Sequence, residues 1–69
     1  MNHFATNLKI LRTERNLTQP ALAKALNVSN GIISLWENGK FEPTATNIIK
    51  IATYFDVTTD ELLRTELIK

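Results

Sequence analysis

The sequence contains no cysteine, and it has only two prolines and two glycines among its 69 residues. The lack of cysteine excludes a disulfide framework and a thiolate metal site, which are the usual supports of very small proteins. A chain of this length buries only about 60% of the surface that its unfolded form exposes, so a packed core must supply the stability. We therefore expect one domain, residues 1–69, without a metal or a cofactor.

The chain also lacks the groups that catalysis requires. His3 is the single histidine, and the chain has no thiol and no glycine-rich phosphate loop. The sequence therefore offers no arrangement that general acid–base or nucleophilic catalysis would need. His3 has no neighbouring metal ligand and is expected to be solvated. We expect the protein not to be an enzyme.

Neither charge nor hydropathy defines a partner. The net charge is +1, far below the basicity of many nucleic-acid-binding proteins. Apolar runs are only a few residues long, and the N-terminus lacks the basic start and apolar segment of a secretory signal. We expect no membrane association and a cytoplasmic location.

What the sequence does contain is a series of short helix patterns. Phe4, Leu8 and Leu11 recur at helical spacing and predict a first helix. Thr18 can cap a second helix, and Pro20 lies in its first turn, where a missing backbone N–H costs little.

A tight corner follows the second helix. Asn27 tolerates the left-handed backbone conformation that such a corner needs, and Ser29 is placed to cap a third helix over about Asn30 to Glu37. Asn38-Gly39 is a stop signal for that helix.

Two further helices complete the pattern. Thr44 opens the fourth helix, and a capping box from Thr58 to Glu61 opens the fifth. The sequence thus predicts an all-α fold of five short helices. The apolar stripe of the fourth helix is Ile48, Ile51, Ala52 and Phe55, with Ile49 adjoining.

The second and third helices, joined by a three-residue corner, form a helix-turn-helix, whose second helix enters the major groove of DNA. At about 100° per residue, Ile33 and Trp36 share the inward face of the third helix. Trp36 is therefore expected in the core and not as a stacking platform. The residues expected to face base edges are Asn30, Gly31, Ser34 and Leu35, with Ile32 on the flank.

These candidate readers carry no charge. Asparagine can bond bidentately to adenine, serine can serve several bases, and Ile32 or Leu35 can pack on a thymine methyl group. Affinity must then come from phosphate contacts. The predicted phosphate contacts are Gln19, Ser29, Asn38, Lys40, Thr44 and Thr46.

The ordered set of residues resembles the Cro/repressor-type (XRE-like) helix-turn-helix regulators of phages and bacteria. Its most specific segments are Leu17-Thr18-Gln19, Trp36-Glu37-Asn38-Gly39-Lys40 and Asp60-Glu61-Leu62-Leu63. The resemblance covers nearly the whole chain and implies a lambda-repressor-like domain that binds double-stranded operator DNA in a bacterial or phage-infected cell.

Particular roles follow from the resemblance. It implies that Gln19 and Asn38 contact phosphate and that Arg12 forms an ion pair with Glu37. It also implies that Asn30, Gly31, Ser34 and Leu35 lie at base edges. Three positions depart from the pattern: Asn27 replaces a corner glycine, Gly31 replaces a residue with a side chain, and Leu35 replaces a polar reader.

We expect a transcriptional repressor that binds its operator as a homodimer. Leu67 and Ile68 lie beyond the expected core and are predicted to form a dimer patch, with a frayed apolar tail as the alternative. A second class of function stays open: a protein-interaction module, such as an antitoxin or adaptor, which the low net charge and the apolar Ile32, Leu35, Leu67 and Ile68 suggest. A protein antagonist is a further candidate partner.

Overall fold

The structure is a computed structural model, and it describes residues 3–64. This range contains five helices and no strand, which confirms the predicted all-α fold. No helix among these residues is long and apolar enough to cross a bilayer. The helices are α1 (Phe4–Glu14), α2 (Gln19–Leu26), α3 (Asn30–Glu37), α4 (Ala45–Phe55) and α5 (Thr59–Leu63).

Threonine side chains fix the starts of three helices. The hydroxyls of Thr18, Thr44 and Thr58 each accept the backbone N–H three residues further on, at 2.9 to 3.2 Å. The Glu61 carboxylate accepts the Thr58 N–H at 2.9 Å, which completes the predicted capping box. Ser29 differs: it occupies the N-cap position of α3, but its hydroxyl makes no capping hydrogen bond. The first turn of α3 therefore keeps its backbone N–H groups without a side-chain acceptor.

The first four helices end in one repeated motif. A left-handed residue follows each helix, and the next residue donates its N–H to a carbonyl five positions back, at 3.0 to 3.1 Å. The left-handed residues are Asn16, Asn27, Gly39 and Asp56, and those that follow are Leu17, Val28, Lys40 and Val57. Leu17, Val28 and Val57 are apolar and pack against the core. Lys40, after α3, is exposed.

The core lies where the five helices meet. Its largest fully buried side chains include Trp36, Leu8, Leu22 and Ile33. The Trp36 ring meets the Phe4 ring edge to face, with 6.2 Å between centroids. Trp36 is thus the core anchor that the helical spacing predicts. Because α3 packs on both α1 and α2, its inward face is fully used by the fold.

The side chain that adjoins the apolar stripe of α4 lies outside the core. Ile49, placed beside the buried stripe of α4, is 59% exposed, because it lies one residue, or about 100°, from the half-buried Ile48. Its side chain instead borders a shallow apolar groove between α2 and α4. Phe41 is 56% exposed, and Ile10 and Tyr54 are half-buried.

Two polar side chains connect elements that are distant in sequence. The fully buried Asn7 donates through Nδ2 to the carbonyl oxygens of Glu61 and Leu62, at 3.2 and 3.0 Å. Arg15 donates to the carbonyl oxygens of Tyr54 and Phe55, at 3.3 and 3.0 Å, and so satisfies the carboxyl end of α4. These bonds join α1 to α5 and α4 by hydrogen bonding as well as by apolar packing.

Asn27 gives a direct test of the corner. Alanine in the left-handed conformation costs roughly 1–2 kcal/mol because its Cβ crowds the next carbonyl oxygen, whereas glycine adopts that conformation freely. We expect Asn27→Ala to lower the free energy of unfolding in urea by about 1 kcal/mol, and Asn27→Gly to preserve it. Equal stability of the two variants would contradict this account of the corner.

Candidate nucleic-acid interface

The candidate site is built on α2, the corner of residues 27–29, and α3. The N–H groups of Asn27 and Val28 donate to the carbonyls of Lys24 and Ala23, at 3.2 and 3.0 Å. Ser29 then has an extended backbone, with φ −69° and ψ 147°, and turns the chain into α3. This three-residue corner sets the angle between the two helices.

The residues predicted to face a partner on α3 differ in exposure. Asn30 and Gly31 are exposed, and Ser34 and Leu35 are half-buried. Ile32 is half-buried and packs partly against the core, so only part of its side chain is open to a partner. The geometry therefore leaves a narrow, uncharged edge on α3.

Gly31 stands in open space. A methyl group in the place of its missing Cβ would meet no heavy atom within 4 Å outside its own helix backbone and chain neighbours. Its φ is not among the positive values, which Gly39 alone of the two glycines adopts. Neither packing nor backbone conformation therefore requires glycine at position 31.

The carboxyl end of α3 is fixed by an ion pair. Arg12 donates from Nε to Glu37 Oε2 at 2.6 Å and from Nη2 to Oε1 at 3.0 Å. The side chains of Arg12 and Glu37 are only 12% and 4% exposed. Arg12 also donates from Nη1 to the carbonyl oxygen of Leu17 at 2.7 Å. The guanidinium thus holds α1, the loop before α2 and the end of α3 together.

This environment keeps Arg12 charged. The pKa of the Arg12 guanidinium is raised above its usual value, chiefly because the hydrogen bond to Glu37 favours the protonated form. Burial acts in the opposite direction, and the negative charge of Glu37 adds to the rise. Arg12 is therefore protonated throughout the neutral pH range.

Gln19 is the third member of this cluster. Its Nε2 donates to Glu37 Oε1 at 3.1 Å, so that oxygen accepts from both Arg12 and Gln19. An amide nitrogen has two hydrogens, and Gln19 is half-buried. Glu37 thus fixes the position of the Gln19 amide while a second N–H is left for an outside acceptor.

The other predicted phosphate contacts lie at the two ends of α3 and at the start of α4. Ser29 lies exposed at its amino end, and Asn38 and Lys40 lie exposed just after its carboxyl end. Asn38 Nδ2 is 3.5 Å from Ser34 Oγ, a long hydrogen bond. Thr44 and Thr46 are exposed at the start of α4, where the Thr44 hydroxyl already accepts the Asn47 N–H. Leu67 and Ile68, the predicted dimer patch, lie outside the described residues.

Two short helices around a left-handed corner, with the second helix anchored by Ile33 and Trp36, define a helix-turn-helix domain. A model of the helix-turn-helix family matches residues 8–62. The chain belongs to this family, in its XRE-like branch of transcriptional regulators.

The chain is similar in sequence to other helix-turn-helix regulators. The chain is 48% identical over 63 residues to the transcriptional activator BcrR of Enterococcus faecalis, covering 91% of this chain and 31% of that protein. It is 42% identical over 55 residues to an uncharacterised helix-turn-helix regulator of Methanocaldococcus jannaschii, covering 80% of this chain and 83% of that protein. The chain therefore spans about a third of the length of BcrR.

Solved structures share the fold. A transcriptional regulator from Listeria innocua superposes with a TM-score of 0.86 at 33% identity, over 91% of this chain and 59% of that one. The P22 c2 repressor, in a crystal with a synthetic operator, superposes with a TM-score of 0.85 at 28% identity. That match covers 91% of this chain and 96% of the repressor chain.

The ion pair yields a stability prediction. Glu37→Gln keeps the shape of the side chain but leaves the buried Arg12 guanidinium without its counter-ion. We expect the free energy of unfolding, measured by urea titration, to fall by about 3 kcal/mol. The double variant Arg12→Met/Glu37→Leu removes both charges and should recover most of that loss. If Glu37→Gln were as stable as the unsubstituted chain, the pair would contribute nothing to the fold.

Proposed function

We propose that this chain binds operator DNA with α3 in the major groove, acts as a homodimer, and represses transcription by occupying the site. The observation that carries the proposal is the arrangement around α3. Its outer edge is uncharged and at least partly exposed, while polar groups suited to phosphate lie at both of its ends. The P22 c2 repressor, crystallised with a synthetic operator, has the same fold, which supports a duplex as the ligand.

Lys40 supports the proposal through its place in the fold. The equivalent residues after α1, α2 and α4 are apolar and pack inward, whereas Lys40 is charged and exposed. An apolar residue would serve the helix end as well. A cation there, next to the candidate reading helix, suits an electrostatic contact with the DNA backbone.

The Gln19 amide supports it in another way. Because Glu37 holds the amide in place before any ligand arrives, little side-chain entropy is lost when its free N–H meets a phosphate oxygen. The uncapped first turn of α3, beside Ser29, offers further backbone N–H donors.

The homodimer follows from the size of the candidate interface. One short helix can read only a few base pairs, so two half-sites about one helical turn, near 34 Å, apart would give the specificity that an operator needs. A palindromic site of that spacing is therefore the expected ligand, and sedimentation of the protein with such a duplex would count two chains per site.

The alternative, a protein-interaction module such as an antitoxin or adaptor, has one observation in its favour. An apolar groove of about 360 Å³ between α2 and α4 is bordered by the exposed Ile49. This groove does not explain the neutral edge of α3. If this chain bound no duplex even at low salt, the result would favour the alternative. A protein antagonist could act through either surface.

Salt dependence tests the phosphate contacts. Lys40→Ala should weaken binding to every duplex and reduce the slope of log affinity against log salt by about 1. Arg64→Ala is the matched control, because Arg64 lies just after α5, with its side chain 78% exposed. That variant should keep the full slope. The same change of slope in both variants would remove Lys40 from the interface.

A second pair of variants separates reading from anchoring. Gln19→Ala should lower affinity by a similar factor for operator and random duplexes, without changing the salt slope, since glutamine is neutral. Asn30→Ala should cost about 1–3 kcal/mol of binding free energy on the preferred duplex only. Fluorescence anisotropy gives the dissociation constants of both variants and of the unsubstituted chain on the operator and the random duplex. Equal losses from Asn30→Ala on all duplexes would rule out α3 as the reading helix.

A further inference from the structure

We propose that α3 reads A·T base pairs, through thymine methyl groups and one adenine edge, and does not select for G·C pairs. This inference rests on the proposed function and adds to it the class of operator sequence. It comes from the chemistry that the outer face of α3 contains and from the chemistry that it lacks.

The first absence is a reader of guanine. The commonest specific contact to guanine is an arginine or lysine that bonds to O6 and N7. The structure describes all eight residues of α3, and none of them is cationic. Lys40 follows the helix by three residues, beyond the Gly39 turn, where it suits the backbone better than a base edge.

The second absence is a reader of cytosine. Aspartate or glutamate can accept a hydrogen bond from the cytosine amino group. Glu37 is the one acidic residue of α3, and its side chain is only 4% exposed. Its oxygens are bonded to Arg12 and Gln19. The one carboxylate of α3 that could have bonded to cytosine is therefore occupied by contacts within the fold.

Of the groups that remain, Ser34 can serve several bases and so selects none of them, and the others match the A·T pair. Asn30, exposed at the amino end of α3, has the donor and acceptor that adenine N7 and N6 require. Leu35 presents methyl groups on the outer edge, and the C5 methyl of thymine is the apolar feature of the major groove. Gly31 has no side chain and faces open space, so the helix backbone can approach the bases closely and bring Leu35 within reach.

The first experiment is selection of the chain on random duplex DNA, followed by exchange of single thymines for uracil in the enriched site. Uracil pairs as thymine does but lacks the methyl group. We expect A·T pairs at the central positions of each half-site and an affinity loss of about fourfold at one or more thymines there. Leu35→Ala should bind the thymine and uracil duplexes equally. Uracil outside the enriched motif is the control.

The second experiment introduces the missing guanine reader. Because position 31 faces open space, Gly31→Arg should fold and shift selection towards guanine at one position of the half-site. Gly31→Ala is the control, because alanine, like arginine, favours the helix more than glycine does but adds no hydrogen-bond donor. This variant should keep the A·T motif. Circular dichroism of both variants would check that each keeps the helical content of the unsubstituted chain.

The outcomes separate the two proposals. An enriched motif with conserved G·C pairs at its centre would overturn the A·T inference and leave the DNA-binding function standing. Full affinity on uracil duplexes would overturn the methyl contact. No enrichment and no salt-sensitive binding would overturn the proposed function, and the inference with it.

Discussion

The buried contact between Arg12 and Glu37 fixes the position of α3. Both side chains are shielded from water, so their attraction is stronger than that of a surface pair, and separating them would leave a charge in the core. Arg12 comes from the last turn of α1 and also bonds to the Leu17 carbonyl before α2. At its other end, α3 is held by the hydrogen-bonded corner at Asn27. The helix is therefore fixed at both ends, and its outer face is presented at a set angle.

This means of fixing the helix has a chemical consequence for its surface. The Glu37 carboxylate bonds to partners within the protein, so the outer edge of α3 is neutral. A charged contact to DNA would therefore come from the flanks, where Lys40 is exposed. Affinity and selectivity then rest on different groups. Contacts at the flanks, including the Gln19 amide that Glu37 holds, would position a duplex, while the edge would choose among sequences. The modest net charge of the chain is compatible with this division, because a few well-placed donors suffice where the protein is pre-organised.

The sequence predicts the parts of this molecule that depend on neighbouring residues. The threonine caps, the left-handed Asn27 and the inward Ile33 and Trp36 all follow from local chemistry or helical period. The remaining features depend on tertiary partners. Asn7 shares the helical face of Phe4 and Leu8, so its position could have been found, but its acceptors lie 54 and 55 residues away. Helical spacing places Ile49 at the edge of the α4 stripe, and a residue at the edge of a stripe is buried only if another helix covers it.

Gly31 is the residue that the fold explains least. Glycine inside a helix costs roughly 0.5–1 kcal/mol relative to alanine, and α3 is only eight residues long and includes the β-branched Ile32 and Ile33. Nothing in the structure offsets this cost, because the backbone at position 31 is helical and the space beside it is open. A residue that lowers the stability of its helix without improving the packing is expected at a functional surface. On the proposed function, the compensation would lie outside the chain, in the closer approach that a bare backbone allows to a duplex on the outer edge of α3.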